Sequence, residues 1–171
     1  MNSSERRKYV LNKLTHSNDP QKGSSLAEEI GVTRQVIVKD IAILKAEGNT
    51  IIATPNGYIM PVLKSNTITR LIAVNHKKED IENELNIIVE NGAAIIDVIV
   101  EHSVYGEIKG MLMIKNKNDV YKFMERFNKY NAQPISELTG GVHVHTIEAE
   151  NAEIIERVIE ELTKKGFIAR D

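Results

Sequence analysis

Between Ser24 and Met60 the chain carries a series of local signals in an order that few folds accommodate. A short apolar stretch, Leu26, Ala27 and Ile30, opens behind Ser24 or Ser25 as a helix cap and stops at Gly31. Thr33 then caps a further helix, Arg34 to Ala46, whose Ile37, Ile41 and Leu44 stand at i, i+4 and i+7 and which ends at Glu47-Gly48. After Gly48 the period changes. Thr50 to Ala53 and Tyr58 to Met60 are short runs separated by Pro55-Asn56-Gly57, and an Asn-Gly pair in that setting marks a hairpin. Upstream, Tyr9, Val10, Leu11 and Leu14 predict a first helix opened by Ser3 or Ser4, and Asn18 to Gly23 supply its turn. Two helices meeting across Gly31-Val32 and followed by a hairpin describe a winged helix-turn-helix.

The string SLAEEIGVTRQVIVKDIAILKAEGNTIIATPNGYIM resembles the winged-helix modules of biotin-ligase-type and sugar-operon-type bacterial repressors. A recognition helix enters the major groove N-terminus first, so its opening turns reach base edges. On that geometry Arg34 reads guanine, Gln35 reads adenine and Lys39 reaches a phosphate, while Ser25 and Thr33 donate to phosphates at helix N-termini. Asn56 and Tyr58 in the wing either contact DNA or, respectively, form the turn and pack. The alternative for the whole module is a protein-docking winged helix with an ordinary solvated surface.

Charge supports the DNA reading weakly. The net charge is −2, but residues 1–64 hold nine Lys and Arg against six Asp and Glu, and the rest thirteen against eighteen. A mildly basic module therefore precedes an acidic one. With no cysteine there is no disulfide framework, thiolate metal site or cysteine nucleophile, so any metal falls to His, Asp or Glu. Met1 to Tyr9 has no apolar leader core, and no apolar stretch reaches the length of a membrane span. The expectation is a cytoplasmic protein with no membrane partner.

Pro61 to Asn66 reads as a linker, placing a DNA-binding domain at 1–63 and a second domain at 67–171. There the pattern predicts a strand at Thr69–Val74, a helix at Lys78–Glu90, strands at Ala93–Glu101 and Ile108–Ile114 about a Tyr105-Gly106 turn, and a helix capped by Asn118. A strand at Val142–Glu148 and a helix capped by Asn151 complete it. The order is βαββαβα, an α+β, ferredoxin-like arrangement in which the first and third strands lie centrally and the fourth lies beside the first. The run Ala93–Glu101 is apolar enough for a buried strand. One sheet face stays uncovered, which suits a homodimer binding a two-fold operator.

Of five histidines, His143 and His145 are two apart on a strand and so share a face. His76 ends the neighbouring first strand and Glu84 lies on the helix that runs back along the sheet. Three imidazoles and a carboxylate suit zinc, nickel, cobalt or ferrous iron and leave coordination positions open. The alternative is ordinary surface histidines. Thr139-Gly140-Gly141 permits close approach of backbone to a ligand.

The segments GVTRQVIVKDIAILKAEG, AVNH at 73–76, VEHSVYGEI at 100–108 and ELTGGVHVHTIEA at 137–149 resemble, together, the bacterial family that joins a winged helix to a three-histidine (3H) domain, the nicotinate-responsive repressors of NAD biosynthesis and niacin uptake. Ser103 departs from the proline usual in that pattern. The resemblance implies a divalent metal, nickel or zinc first, held by His76, Glu84, His143 and His145, and nicotinic acid as co-repressor. His102 and Tyr105, with Thr139, Gly140 and Gly141, are the candidate effector residues, and His102 alternatively only satisfies the hairpin end. His16 ends the first helix, where a cation suits the dipole. Two other readings stay open: a repressor for which the metal itself is the signal, and a metal-dependent hydrolase fused to a DNA-binding module, for which no spare general base stands out. The expectation is a regulator, not an enzyme.

Overall fold

Asn2, rather than Ser3 or Ser4, opens the first helix, α1 (Ser3–Thr15). Its side chain accepts from the Glu5 amide at 2.9 Å while the Glu5 carboxylate accepts from the Asn2 amide at 2.9 Å, a reciprocal box worth about 1 kcal/mol. The computed structural model describes residues 1–61 and 66–170, and the chain divides into units Met1–Leu63 and Lys64–Asp171. The expected linker falls mostly on residues 62–65, which lie outside the described residues.

In the first unit, α2 (Gly23–Ile30) and α3 (Arg34–Ala46) meet at Gly31, whose φ of 77° supplies the left-handed helix end. No serine caps α2. It begins at Gly23, over which the Tyr58 ring lies so closely that a Cβ would sit 3.1 Å from it. Val10, Leu14, Leu26, Ile37, Ile41 and Leu44 form the core together with Tyr58. The wing is β1 (Ile52–Thr54) and β2 (Gly57–Ile59), paired antiparallel with Thr54 opposite Gly57. Its loop is therefore Pro55-Asn56, one residue earlier than the Asn-Gly signal suggests. Gly57 is needed for another reason: Gln21 exchanges backbone hydrogen bonds with Tyr58 at 2.8 and 2.9 Å, adding a bridge to the wing, and a Cβ on Gly57 would lie 2.3 Å from the Gln21 carbonyl. With φ at 130°, Gly57→Ala is expected to cost about 3 kcal/mol through strain and loss of that bridge. Denaturant unfolding followed by the wing's hydrogen-exchange protection checks this; an unchanged midpoint refutes it.

The second unit runs β3 (Ile68–Asn75), a 3-10 turn (Lys78–Asp80) into α4 (Ile81–Glu90), β4 (Ala94–His102), β5 (Gly106–Ile114), α5 (Lys117–Lys129), a 3-10 turn (Ile135–Thr139), β6 (Val142–Ala149) and α6 (Ala152–Lys164). This is the expected α+β class and element order. Asn116, not Asn118, caps α5 by accepting from the Asp119 amide, and Asn151 caps α6 as expected. The strand order is β3-β6-β4-β5, every neighbour antiparallel. The expected central pair, first and third strands, is thus replaced by the fourth and second. Both split βαβ units of the ferredoxin-like arrangement persist: β3 and β4 flank β6, and β5 and β6 flank β4. The exchange suits the residues. β4 carries the near-continuous apolar run, whereas β3 and β5 carry the polar residues Thr69-Arg70 and Glu107 near their starts and tolerate an edge. The outer edge of β3 is covered by the chain after α6, where the Asn75 amide donates to the Phe167 carbonyl at 2.8 Å and the Ala169 amide to Ala73 at 3.0 Å.

One sheet face lies under the helices. Alternate β6 residues His143, His145, Ile147 and Ala149 are buried there, against Leu85 and Ile88 of α4 and Ile155, Val158 and Leu162 of α6. Leu71, opposite Thr146 on the other face, is 63% exposed. The sheet therefore aims two histidines at α4, from a strand held on both sides.

Candidate metal centre

Residues Ile81, Glu84, Leu85 and Ile88 form the buried stripe of α4, so Glu84 occupies a place that a leucine would ordinarily fill. It is 1% exposed. Its Oε2 lies 2.6 Å from His76 Nε2 and 3.7 Å from His143 Nε2, and its Oε1 lies 3.3 Å from His145 Nε2. The three imidazoles expected as ligands are thus gathered around the Glu84 carboxylate. Ligand atoms of His76, Glu84 and His143 all fall within 4.8 Å of one another.

The far side of each ring fixes its tautomer. His76 Nδ1 donates to the Lys77 carbonyl at 2.9 Å, His143 Nδ1 to Gly141 at 2.8 Å and His145 Nδ1 to Asp97 at 2.7 Å. A carbonyl only accepts, so all three Nδ1 atoms carry hydrogen and all three Nε2 atoms face the carboxylate. In neutral rings those Nε2 atoms are acceptors, so acceptors converge unless a proton or another cation sits among them. Glu84 Oε1 and His145 Nε2 are buried without a hydrogen-bond partner. A buried orphan pair costs a few kcal/mol unless a cation or proton sits between. This donor set fits a divalent transition metal, with each imidazole oriented from behind by a backbone carbonyl.

Without metal, protons take that role. Burial disfavours the Glu84 charge, but the charge of His145 and the contacts of the three imidazoles outweigh it and hold the carboxyl well below its usual range. Burial likewise pulls His76 and His145 down, and Glu84 more than offsets this, leaving both above the ordinary histidine value.

Asp97 was not singled out by the sequence. A bulge in β4 between Ile95 and Asp97 turns its carbonyl to His145, while its carboxylate accepts from the Thr146 amide at 3.0 Å in place of the interrupted ladder.

Two cavities adjoin the cluster. One, of about 70 Å³, has apolar walls from Leu85, Val98, Leu112, Phe123 and Phe127, with Glu84, His143 and His145 at one end. The other, of about 310 Å³, is lined by His76, Lys77, Lys78, Glu79, Glu137, Gly140 and Gly141. Pro134 and Ser136 line both. These liners carry no local motif, and only the fold brings them together.

The expected effector residues fare differently. Gly141 has φ at 103°, and a Cβ there would lie 2.8 Å from Asn75 Oδ1 and 2.9 Å from the His76 carbonyl, so the close approach is to β3. The Gly140 and Gly141 amides donate internally, to Glu137 at 3.3 Å and Ser136 at 2.8 Å, and Thr139 Oγ1 bonds the carbonyls of Ser136 and Val142. Those two amides are therefore engaged within the turn. His102 closes the β4–β5 turn, its Nδ1 accepting from the Val104 and Tyr105 amides at 3.1 and 3.4 Å, and Tyr105 is exposed beside it.

In the first unit Ser25, Thr33, Arg34, Gln35 and Lys39 are exposed, and Thr33 sits at the N-cap of α3 without a side-chain capping bond. Asn56 is half-buried in the wing loop. Tyr58 is 9% exposed and belongs to the core, so packing describes it.

Residues 6–59 match an HTH domain and residues 69–171 match the 3H domain. The chain is 47% identical over 98% of its length to "Probable transcription repressor NiaR" of Thermotoga maritima, covering 95% of that protein. It is 37% identical over 97% of its length to "Transcription repressor NadR" of Bacillus subtilis, covering 94% of it. The chain belongs to the 3H-domain transcription repressors. Its 3H domain is the unit that holds the His76, Glu84, His143 and His145 cluster, and its HTH domain the unit that carries α3. No helix among the described residues is long and apolar enough to cross a membrane.

Proposed function

We propose that this 3H repressor binds operator DNA as a homodimer, with nicotinic acid as co-repressor and a divalent metal, nickel or zinc, at His76, Glu84, His143 and His145. The observation that carries the reading is the convergence of three Nδ1-protonated imidazoles on a buried carboxylate with two orphaned polar atoms. Such a set demands a cation. The apolar cavity against Glu84, His143 and His145 suits a pyridine ring, with the histidine cluster and any cation it holds at hand for an effector's carboxylate. The exposed Leu71 face of the sheet suits pairing with a second copy. The site of action is the cytoplasm.

Calorimetric titration of the metal-loaded protein with nicotinate, nicotinamide and NAD is the direct test. Nicotinate should bind one equivalent per chain and lose affinity on chelation. Equal binding of nicotinate before and after metal removal would separate effector from metal. Operator binding that follows metal alone would make the metal the signal.

On DNA, Ser25, Thr33, Arg34, Gln35, Lys39 and the wing's Asn56 form the reading surface. Arg34→Ala should cost about 1–3 kcal/mol and relax preference at one base pair. Lys39→Ala should weaken all sequences alike and lower the salt slope by about 1. A gel-shift series in which Arg34→Ala keeps both affinity and preference rejects the assignment.

A further inference from the structure

Val38 is 42% exposed, and apart from Met1 it is the one exposed large hydrophobic side chain among the described residues of the first unit. It stands midway along α3, on the solvent side next to the buried stripe of Ile37, Asp40, Ile41 and Leu44. Arg34 and Gln35 lie one turn before it and Ala42 one turn after, so these residues form one continuous surface. Valine there has a cost. It lowers helix propensity and leaves apolar area in water, where lysine, glutamate or alanine would do neither.

The electrostatics of α3 indicate what covers it. The helix contains one acid, Asp40, and that carboxylate is turned inward onto the Arg6 guanidinium at 2.5 and 3.2 Å, with Arg7 at 3.9 Å. Arg34, Lys39 and Lys45 remain on the solvent side, so Val38 is an apolar point within a cationic surface. A phosphate-lined groove complements that surface, whereas a second copy of the same helix would repel it. Within the major groove the apolar feature on a base edge is the C5-methyl of thymine. A helical valine is held in one dominant rotamer and presents its methyl groups without further ordering.

We infer that Val38 reads a thymine methyl, fixing a T·A pair beside the bases contacted by Arg34 and Gln35. This rests on α3 being the reading helix. Its worth is that of burying one methyl-sized group, about a fourfold change in affinity at each copy of the site.

The test uses the full chain and duplexes selected by it from a random-sequence pool, with nickel and nicotinate present. Each thymine is replaced singly by deoxyuridine, which removes the methyl and nothing else, and affinities are measured for wild type, Val38→Ser, Val38→Thr and Arg34→Ala. For wild type, one thymine per site should show the fourfold loss. In Val38→Ser that penalty should vanish while penalties at other thymines persist, and Val38→Thr, which keeps one methyl, should retain part of it. Val38 is on the surface, so unfolding midpoints should be unchanged. A penalty that survives in Val38→Ser, or its absence from every thymine in wild type, overturns the inference. If Arg34→Ala is silent as well, the reading-helix assignment itself has failed. If Val38→Ser instead alters the oligomeric state and leaves the uridine profile intact, the residue belongs to a protein interface and the inference falls.

Discussion

Glu84→Gln is expected to empty the proposed metal centre while leaving the 3H unit folded. Glutamine matches glutamate in shape, so the α4 stripe of Ile81, Leu85 and Ile88 keeps its packing. Its amide nitrogen can donate to the His145 Nε2 lone pair, but the ion pairs that Glu84 makes with protonated His76 and His145 are lost, so the metal-free variant should be less stable than metal-free wild type. What disappears is the only anion in a set that is otherwise three neutral imidazoles. Metal affinity should fall by about 100-fold or more, since even residues that merely orient ligands are worth 10- to 100-fold. In wild type, metal at about 100 times its dissociation constant adds roughly 2.7 kcal/mol to unfolding, and this increment should be absent from the variant. Elemental analysis after dialysis, paired with thermal unfolding with and without chelator, reads both quantities. A full equivalent of metal retained by Glu84→Gln would show that the carboxylate is not a ligand.

How far the sequence led to this centre depends on the range of the signal. His143 and His145 were legible because a strand alternates with period two, and that rule holds wherever the strand lies. Glu84 was legible as a carboxylate within a helix that follows a histidine-ended strand. The ferredoxin-like template misplaced the central strands, because either pair of strands in two interlocked split βαβ units can take the centre and edge composition decides between them. His76 still arrived beside His143, since β3 pairs with β6 in both arrangements. The cavity walls from Phe123, Phe127, Val98 and Leu112 come from α5, β4 and β5, and no local pattern foretells that they meet. The Gly140-Gly141 pair was read as a ligand cradle because glycine permits close approach; the sequence does not say what approaches. Caps at Asn2 and Asn116 were missed in favour of residues one or two positions on. Several polar residues competed there, and the choice is settled by the reciprocal bonds between Asn2 and Glu5 and by the Asp119 amide, which donates to Asn116.

The misread glycine yields the second large effect. Gly141→Ala places a Cβ 2.8 Å from Asn75 Oδ1 and 2.9 Å from the His76 carbonyl, at a φ of 103° that an L side chain adopts only under strain. Relaxation has two routes. Either the end of β3 retreats, moving the His76 carbonyl and with it the adjoining Lys77 carbonyl that receives His76 Nδ1–H, or Gly141 swings away and takes with it the carbonyl that receives His143 Nδ1–H. Each route misdirects one of the proposed ligands, and His145 has no slack to compensate, because that ring is tied to Asp97. Metal affinity should drop 10- to 100-fold, the usual range for disturbed ligand orientation, with about 1–3 kcal/mol of strain in the metal-free protein. Gly140→Ala is the control. Gly140 also has a positive φ, 67°, but nothing lies within 4 Å of a Cβ there, so it should cost about 1 kcal/mol of stability and leave metal affinity untouched. Competition with a chelator of known affinity ranks the three proteins. Equal metal binding by Gly141→Ala and Gly140→Ala would mean that the contact between Gly141 and β3 does not aim the histidines.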